Sequence, residues 1–275
     1  METKLRKLQL TELEILIEID KFCKKNDIKY SLYAGTLLGA VRHKGFIPWD
    51  DDLDICMSRS EYIRFINLWN ESHPDGYMIQ NKLNSPDFSQ SFSKIRKDHT
   101  TFMQEGEKPG RYHMGIFVDV FPIDRIPNGK LSRYLFLWRC MKYQLFIREY
   151  IPKKNGKFIK FISRIILKIT PPNTRKKKCN KLLKTLTKNN KDKSLNTVAI
   201  ETYSTMCVPL PPDLMEEFID IEFEGRMFKC VKKCDEYLKI KFNDYMRFPP
   251  VNERTWKHHP IILDFDRNYE ERKID

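Results

Sequence analysis

The chain contains no stretch of about 18 or more uncharged apolar residues, so its sequence offers no spanning helix. Its opening residues, METKLRKLQLTELEILIEID, scatter acids through apolar positions. They lack the basic-then-apolar layout and small-residue cleavage site of a signal peptide. Cysteine is scarce, seven in 275 residues, odd in number and without framework spacing, which argues against a disulfide scaffold and for a reducing compartment. A cytoplasmic location is expected. Cys230, Cys234, His258 and His259 match no established zinc spacing. No helix-turn-helix, RNA-recognition or zinc-finger signature accompanies the net charge of +13, so nucleic acid is not an expected partner. Acids are nearly missing from one region: residues 130–192 hold 19 of the 50 Lys/Arg and two of the 37 Asp/Glu. The remainder then carries 31 Lys/Arg against 35 Asp/Glu, so the whole basic excess belongs to this insert.

What is present begins with 41% hydrophobic and 12% aromatic residues, enough for a packed core. Within 31–57, SLYAGTLLGAVRHKGFIPWDDDLDICM, four carboxylates (Asp50, Asp51, Asp52 and Asp54) occupy five positions. Such crowding is tolerated in a folded site with a cation or a protonated member. A glycine-bearing turn, Gly35-Thr36-Leu37-Leu38-Gly39, precedes them, then a cationic trio, Arg42, His43 and Lys44. Converging acids and bases suit a metal-bridged phosphate; the plainer alternative is an acidic surface turn beside a basic patch. Alternation puts Leu53, Ile55 and Met57 on one face of a strand and Asp52, Asp54 and Cys56 on the other. Asp52 and Asp54 would lie roughly 6.5–7 Å apart, able to grip one or two divalent ions. Asp50 and Asp51 are expected to be loop acids that shape the site.

Along the chain, 11–26 reads as an amphipathic helix with a Thr11–Glu14 capping box. Residues 28–35 read as a buried strand, and TLLGAVRH as no more than two helical turns. A second capping box, Ser58 to Glu61, opens a helix, and strands are expected at 77–81 and 89–97. MGIFVDVFPID (114–124) is an apolar run with Asp119 near its middle, the pattern of a central strand carrying a carboxylate into a dry place. A buried lone acid is costly unless paired or metal-bound. Asp119 is therefore the expected third ligand to Asp52 and Asp54, the alternative being a core aspartate paired with a basic residue.

In the insert, 131–150 is an apolar helix. Residues 157–169 set Lys157, Lys160, Arg164 and Lys168 on one stripe opposite Phe158, Phe161, Ile162, Ile165, Ile166 and Ile169, and Arg175 to Lys178 follow. Such a helix beside a lysine run suits an anionic membrane surface, contacted peripherally through 131–178 at the inner face of the cell membrane. The competing reading is a packed helical subdomain with a solvated basic rim. A last unit, 213–275, is expected to hold a short helix, a strand pair, a second helix and a polar tail.

With these segments in view the chain resembles the LicD family of phosphotransferases, which includes fukutin and fukutin-related proteins. The resemblance is carried by YSLYAGTLLGAVRHKGFIPWDDDLDICMS (30–58), FSKIRKDHTTF (92–102), GIFVDVFPID (115–124) and FEGRMF with DEYLKIKFNDYMRFPP (223–250). It departs from the family at Phe242-Asn243-Asp244-Tyr245 and near Val231, in the C-terminal unit. It implies an α+β, nucleotidyltransferase-like fold: a small mixed sheet flanked by helices, here one catalytic domain over 1–275 with the basic helical insert at 130–192 and a substrate-side unit at 213–275. It implies transfer of phosphocholine or a phospho-alditol from a CDP-linked donor to a sugar hydroxyl of a lipid-linked or other cell-surface glycan, with release of CMP. Catalytic Asp52, Asp54 and Asp119 would hold one or two Mg²⁺ or Mn²⁺ ions. Backbone N–H groups near Gly35 and Thr36 would cradle the diphosphate. Arg42, His43, Lys94 and Arg96 would neutralise the leaving CMP. The competing enzyme class is a glycosyltransferase holding a nucleotide sugar through an Asp-x-Asp pair; a scaffold that keeps the fold without the chemistry is a third.

Overall fold

The computed structural model describes residues 3–105, 107, 113–149 and 156–271, with the side chains of 157–159, 203 and 204 outside the described set. Lys157 and Phe158, placed above in the insert's two stripes, therefore lie outside it. The fold is α+β, and the chain forms two compact units. Unit 1 comprises Met1–Asp87, Phe92–Pro122 and Leu214–Asp275; unit 2 comprises Phe88–Ser91 and Ile123–Asp213.

Helix α1 (Lys4–Lys25) starts two turns before the predicted capping box. Thr3 is the cap, its hydroxyl accepting the Arg6 N–H, whereas the Thr11 hydroxyl donates to the Lys7 carbonyl inside the helix. A threonine can play either part, and the spacing alone does not separate an N-terminus from an interior turn. Leu8, Ile15, Leu16 and Ile19 bury one face, and Glu12 is buried among them. The strand predicted over 28–35 shrinks to β1 (Ser31–Leu32), because Tyr33 caps a helix and Ala34, at φ 45°, turns into it. That helix, α2 (Ala34–His43), contains the whole glycine-bearing segment. A Cβ on Gly39 would sit 2.5 Å from the Gly45 carbonyl oxygen, so the chain doubles back beside α2 over a glycine.

Strand β2 (Asp54–Ser58) leads into α3 (Arg59–Ser72), with Ser58 accepting the Glu61 N–H as the sequence predicts. Then come β3 (Tyr77–Gln80), β4 (Ser93–Lys97), β5 (Thr101–Met103) and β6 (Phe117–Arg125). The sheet order is β1-β2-β6-β4-β3, so the apolar run is the central strand, buried along its whole length. Lys94 of β4 faces Asp119 of β6 in register, and the Asp119 N–H donates to the Leu53 carbonyl at 2.9 Å.

Past Pro122 the chain enters unit 2, made of α4 (Lys130–Arg148), α5 (Lys157–Ile169), α6 (Pro172–Leu186), β7 (Thr197–Ala199) and α7 (Tyr203–Met206). Ile123–Arg125 pair with β7. Phe136, Cys140, Tyr143 and Ile147 of α4 pack with Leu186 of α6, Val198 and Met206, a core of the kind the packed-subdomain reading expects. Helix α5 departs from it. Phe161, Ile165 and Ile169 are 60%, 43% and 71% exposed, while Ser163 and Thr170 face inward. Arg175 donates to the Leu167 and Thr170 carbonyls, holding the end of α5.

Unit 1 resumes with the hairpin β8 (Phe218–Phe223) and β9 (Arg226–Val231), then α8 (Cys234–Phe242) and β10 (Ile262–Asp264). The Val231 N–H donates to Ser31 Oγ, and Glu224 accepts from Arg6 and from the Phe46 N–H, so the hairpin fastens β1, α1 and the loop after α2. Strand β10 pairs with β5, giving the polar tail a fixed place that its sequence did not reveal. No helix among the described residues is long and apolar enough to cross a membrane.

Candidate active site

The acid cluster is built by three elements of unit 1. Helix α1 supplies Gln9, whose amide donates to the Asp50 and Ile47 carbonyls and fixes the approach to the aspartates. Helix α2 supplies Gly35, where a Cβ would lie 2.8 Å from Asp50 Oδ2, and Thr36, whose hydroxyl accepts the Asp54 N–H at 2.8 Å. The glycine thus admits a carboxylate, and the threonine holds the backbone of the acid strand. The tail supplies the third wall: Asp51 accepts the Lys257 and His258 N–H groups at 3.0 and 2.9 Å, and Lys257 Nζ lies 3.2 Å from Asp50 Oδ1. His258 Nδ1 is 3.3 Å from Asp51 and 3.9 Å from Asp52.

Asp50, Asp51 and Asp52 bring ligand oxygens within 4.8 Å of one another. Asp50 and Asp51 are buried, and Asp51 has both oxygens bonded to the tail, whereas Asp52 keeps 20% of its side chain open. The electrostatics reflect crowding. Burial, then Asp52, pushes the Asp50 carboxyl up to about 6, against the pull of Lys257. Burial raises Asp54 well above the usual carboxylate range, with Asp52 and Asp119 adding to it. Asp52 is raised by burial against His258 and Lys257. Asp51 moves the other way: burial would raise it, but the bonds from His258 and Lys257 hold it low.

The predicted third acid, Asp119, joins this electrostatic group and is also ion-paired, Lys94 Nζ lying 2.6 Å from its Oδ1. The ion pair is the arrangement that the alternative reading expected, and Asp119 is not one of the three acids whose oxygens converge within 4.8 Å. Lys94 is 3.3 Å from the centre of the Phe117 ring, and burial lowers its pKa against the attraction of Asp119. Arg96 stands differently from its expected place at a leaving group. It is buried and donates to Gln80 Oε1 and the Gly115 carbonyl, so its guanidinium braces the sheet. Arg42 and His43 are half-buried at the end of α2, with Arg42 donating to the Tyr245 carbonyl.

Sequence reasoning missed Glu12, Lys257 and His258. Glu12 is 1% exposed, its Oε2 has no hydrogen-bond partner, and burial followed by Asp52, Asp51, Asp50 and Asp54 raises its pKa. A glutamate on the apolar face of α1 was the available signal. Nothing local distinguishes Lys257 or His258, since β10 pairing with β5 is what returns the tail to the aspartates.

Residues 27–161 match the sequence model of the family described as LicD/FKTN/FKRP, nucleotidyltransferase domain. The chain carries this family's nucleotidyltransferase domain over those residues and is a transferase. Among curated relatives it is 29% identical over 258 residues to the lipopolysaccharide cholinephosphotransferase LicD of Haemophilus influenzae, covering 92% of this chain and 96% of that protein. An uncharacterized protein of Rickettsia typhi is 40% identical over 74 residues, 27% of this chain and 24% of that one. One from Rickettsia prowazekii is 38% identical over 73 residues, 26% and 27% of the two.

Proposed function

We propose that this LicD-type transferase moves phosphocholine, or a phospho-alditol, from a CDP-activated donor to a sugar hydroxyl of a cell-surface glycan precursor and releases CMP. The observation that carries the reading is a charge imbalance. Glu12, Asp50, Asp51, Asp52, Asp54 and Asp119 face Lys94, Lys257, His258 and Arg42 as the cations bonded to them or coupled to them electrostatically. Six carboxylates against four cations leave a deficit that divalent ions would fill. Closely spaced carboxylate oxygens are hard ligands suited to Mg²⁺ or Mn²⁺; those of Asp50, Asp51 and Asp52 lie within 4.8 Å of one another, and Glu12 Oε2 is a sealed acceptor lacking a donor. Asp52, Asp54 and Asp119 would hold the metal, which would neutralise donor phosphate oxygens. Asp54, with its raised proton affinity, or Asp119 would take the acceptor hydroxyl's proton. The C-terminal segment from 213 would serve as the substrate side, through Lys257 and its neighbours.

The name of the Haemophilus relative, matched over nearly its full length, favours phosphocholine and a lipopolysaccharide-type acceptor. For unit 2 we propose peripheral contact with an anionic membrane, the exposed apolar stripe of α5 entering the interface beside Lys160, Arg164 and Lys168. Incubation with CDP-choline, CDP-ribitol and CDP-glycerol, with a glycan acceptor and Mg²⁺, is expected to yield CMP from one of them. Asp52→Asn and Asp54→Asn should each abolish turnover with the fold intact. Release of UDP or GDP from a nucleotide sugar would replace this reading with a glycosyltransferase, and substantial activity in both variants at excess Mg²⁺ would remove the metal–carboxylate mechanism.

A further inference from the structure

At the edge of the acid cluster lies a patch of different chemistry. Trp49, adjoining Asp50 in the chain, has its ring centre 6.3 Å from that of Phe248, and the His43 imidazole is 5.6 Å from Phe248 and 6.4 Å from Trp49. Two guanidinium groups stack on these rings. Arg42 is 4.7 Å from the Phe248 centroid; Arg254 is 5.4 Å from Phe248 and 5.2 Å from Trp49. Among the described residues neither arginine forms a salt bridge to a carboxylate. Arg42 donates to His43 Nε2 and the Tyr245 carbonyl, and Arg254 to the Pro249 carbonyl. Two like charges are thus gathered on a partly open aromatic surface, Asp50 attracting Arg42 without a bond between them, next to a cluster of opposite sign. Phe248 is 46% exposed and the others are half-buried, so the patch is accessible.

A quaternary ammonium would suit aromatic faces alone, but two guanidinium groups already lie over them and would repel it. A phosphate suits the arginines, whose planar forks match its oxygens, and a base suits a ring already holding flat groups at stacking distance. We propose that Arg42, Arg254, Trp49 and Phe248 form the subsite for the nucleotide half of the donor, the base stacking on the rings and the arginines taking its phosphate. This rests on the donor reading above and adds to it which end of the donor lies here. The substituent to be transferred would then point toward Asp52 and Asp54, and its head group would be recognised away from these rings.

The test is calorimetric titration of the full chain in Mg²⁺ with CMP and with cytidine, each variant's fold being checked by its thermal melt. Arg254→Gln is expected to weaken CMP about tenfold or more and leave cytidine unchanged, as loss of a phosphate contact requires. Phe248→Leu is expected to weaken both alike. Arg254→Lys, which keeps the charge and loses the fork, should fall between wild type and Arg254→Gln, and answers the question if Phe248→Leu does not fold. CMP affinity unchanged in the Arg254 variants would overturn the subsite even if wild type releases CMP from CDP-choline, so the donor reading would survive. Binding of UMP or GMP in place of CMP, with the same dependence on Arg254, would keep the subsite and remove the CDP donor. Wild type binding none of the three overturns the subsite.

Discussion

Glu12 stands on the apolar face of α1 with one carboxyl oxygen sealed and without a partner, close enough to four aspartates that each raises its pKa. A carboxylate there can only accept, whereas an amide of the same shape could donate to its acidic neighbours. In metal-free protein at pH 8, Glu12→Gln is therefore expected to stabilise the fold by about 1–3 kcal/mol, the scale of an unmet buried polar group. The rise in Tm produced by Mg²⁺ should shrink in the same variant. Identical melting curves for variant and wild type, with and without Mg²⁺, would show that Glu12 does not sense the cluster. At this scale the crowding of Asp50 to Asp54 was readable in a single line of sequence. The partners were less so. Arg96 and Lys94 share one face of β4 in the same spacing, yet one braces Gln80 and Gly115 and the other reaches Asp119.

Helix α5 shows how an element can be predicted in place and still be open in meaning. Its bounds follow the amphipathic pattern, but periodicity cannot say which side meets the protein, and here Phe161, Ile165 and Ile169 face outward. An exposed apolar stripe flanked by cations is the signature of an interfacial helix. Replacing Lys157, Lys160, Arg164 and Lys168 by Gln should weaken sedimentation with anionic vesicles in a salt-sensitive way, because screened charges lose their reach within about 10 Å at 0.1 M salt. Vesicle binding that is unchanged by these substitutions, or insensitive to salt, would remove the membrane role. The other elements were legible where a cap or a run was unambiguous, as at Ser58 and along β6. They were misjudged where a threonine or a two-residue strand had to be placed without its neighbours.

For the whole molecule, the acid cluster makes stability a function of pH and of divalent ions. Carboxyl groups raised in the folded state, Glu12, Asp50, Asp52 and Asp54, hold protons that the unfolded chain releases near pH 4. The folded state binds more protons over that window, so metal-free stability should fall as pH rises from about 4 through about 6 and beyond. Asp50 alone, carried from 3.8 to about 6, accounts for on the order of 3 kcal/mol. His258, raised by Asp51 and Asp52 against burial, acts in the same direction above its ordinary value. His113, lowered by burial, opposes it below its ordinary value. Mg²⁺ should therefore raise Tm more at pH 8 than at pH 5, and EDTA should cost more at the higher pH. Thermal melts across that range check both, and a Mg²⁺ effect independent of pH would contradict the cluster's charge state.

By itself the sequence determined the class of fold, the central dry strand, the basic insert and the location of the acid cluster. Each of these is encoded locally, in hydrophobic period, residue spacing and charge density. Only the tertiary structure decided who meets the acids. Glu12 arrives from α1, Thr36 from the first turn of α2, and Lys257 and His258 from a tail anchored by β10 against β5. Those contacts span tens to hundreds of residues, and no local pattern carries them, because a side chain's partner is set by where the backbone returns.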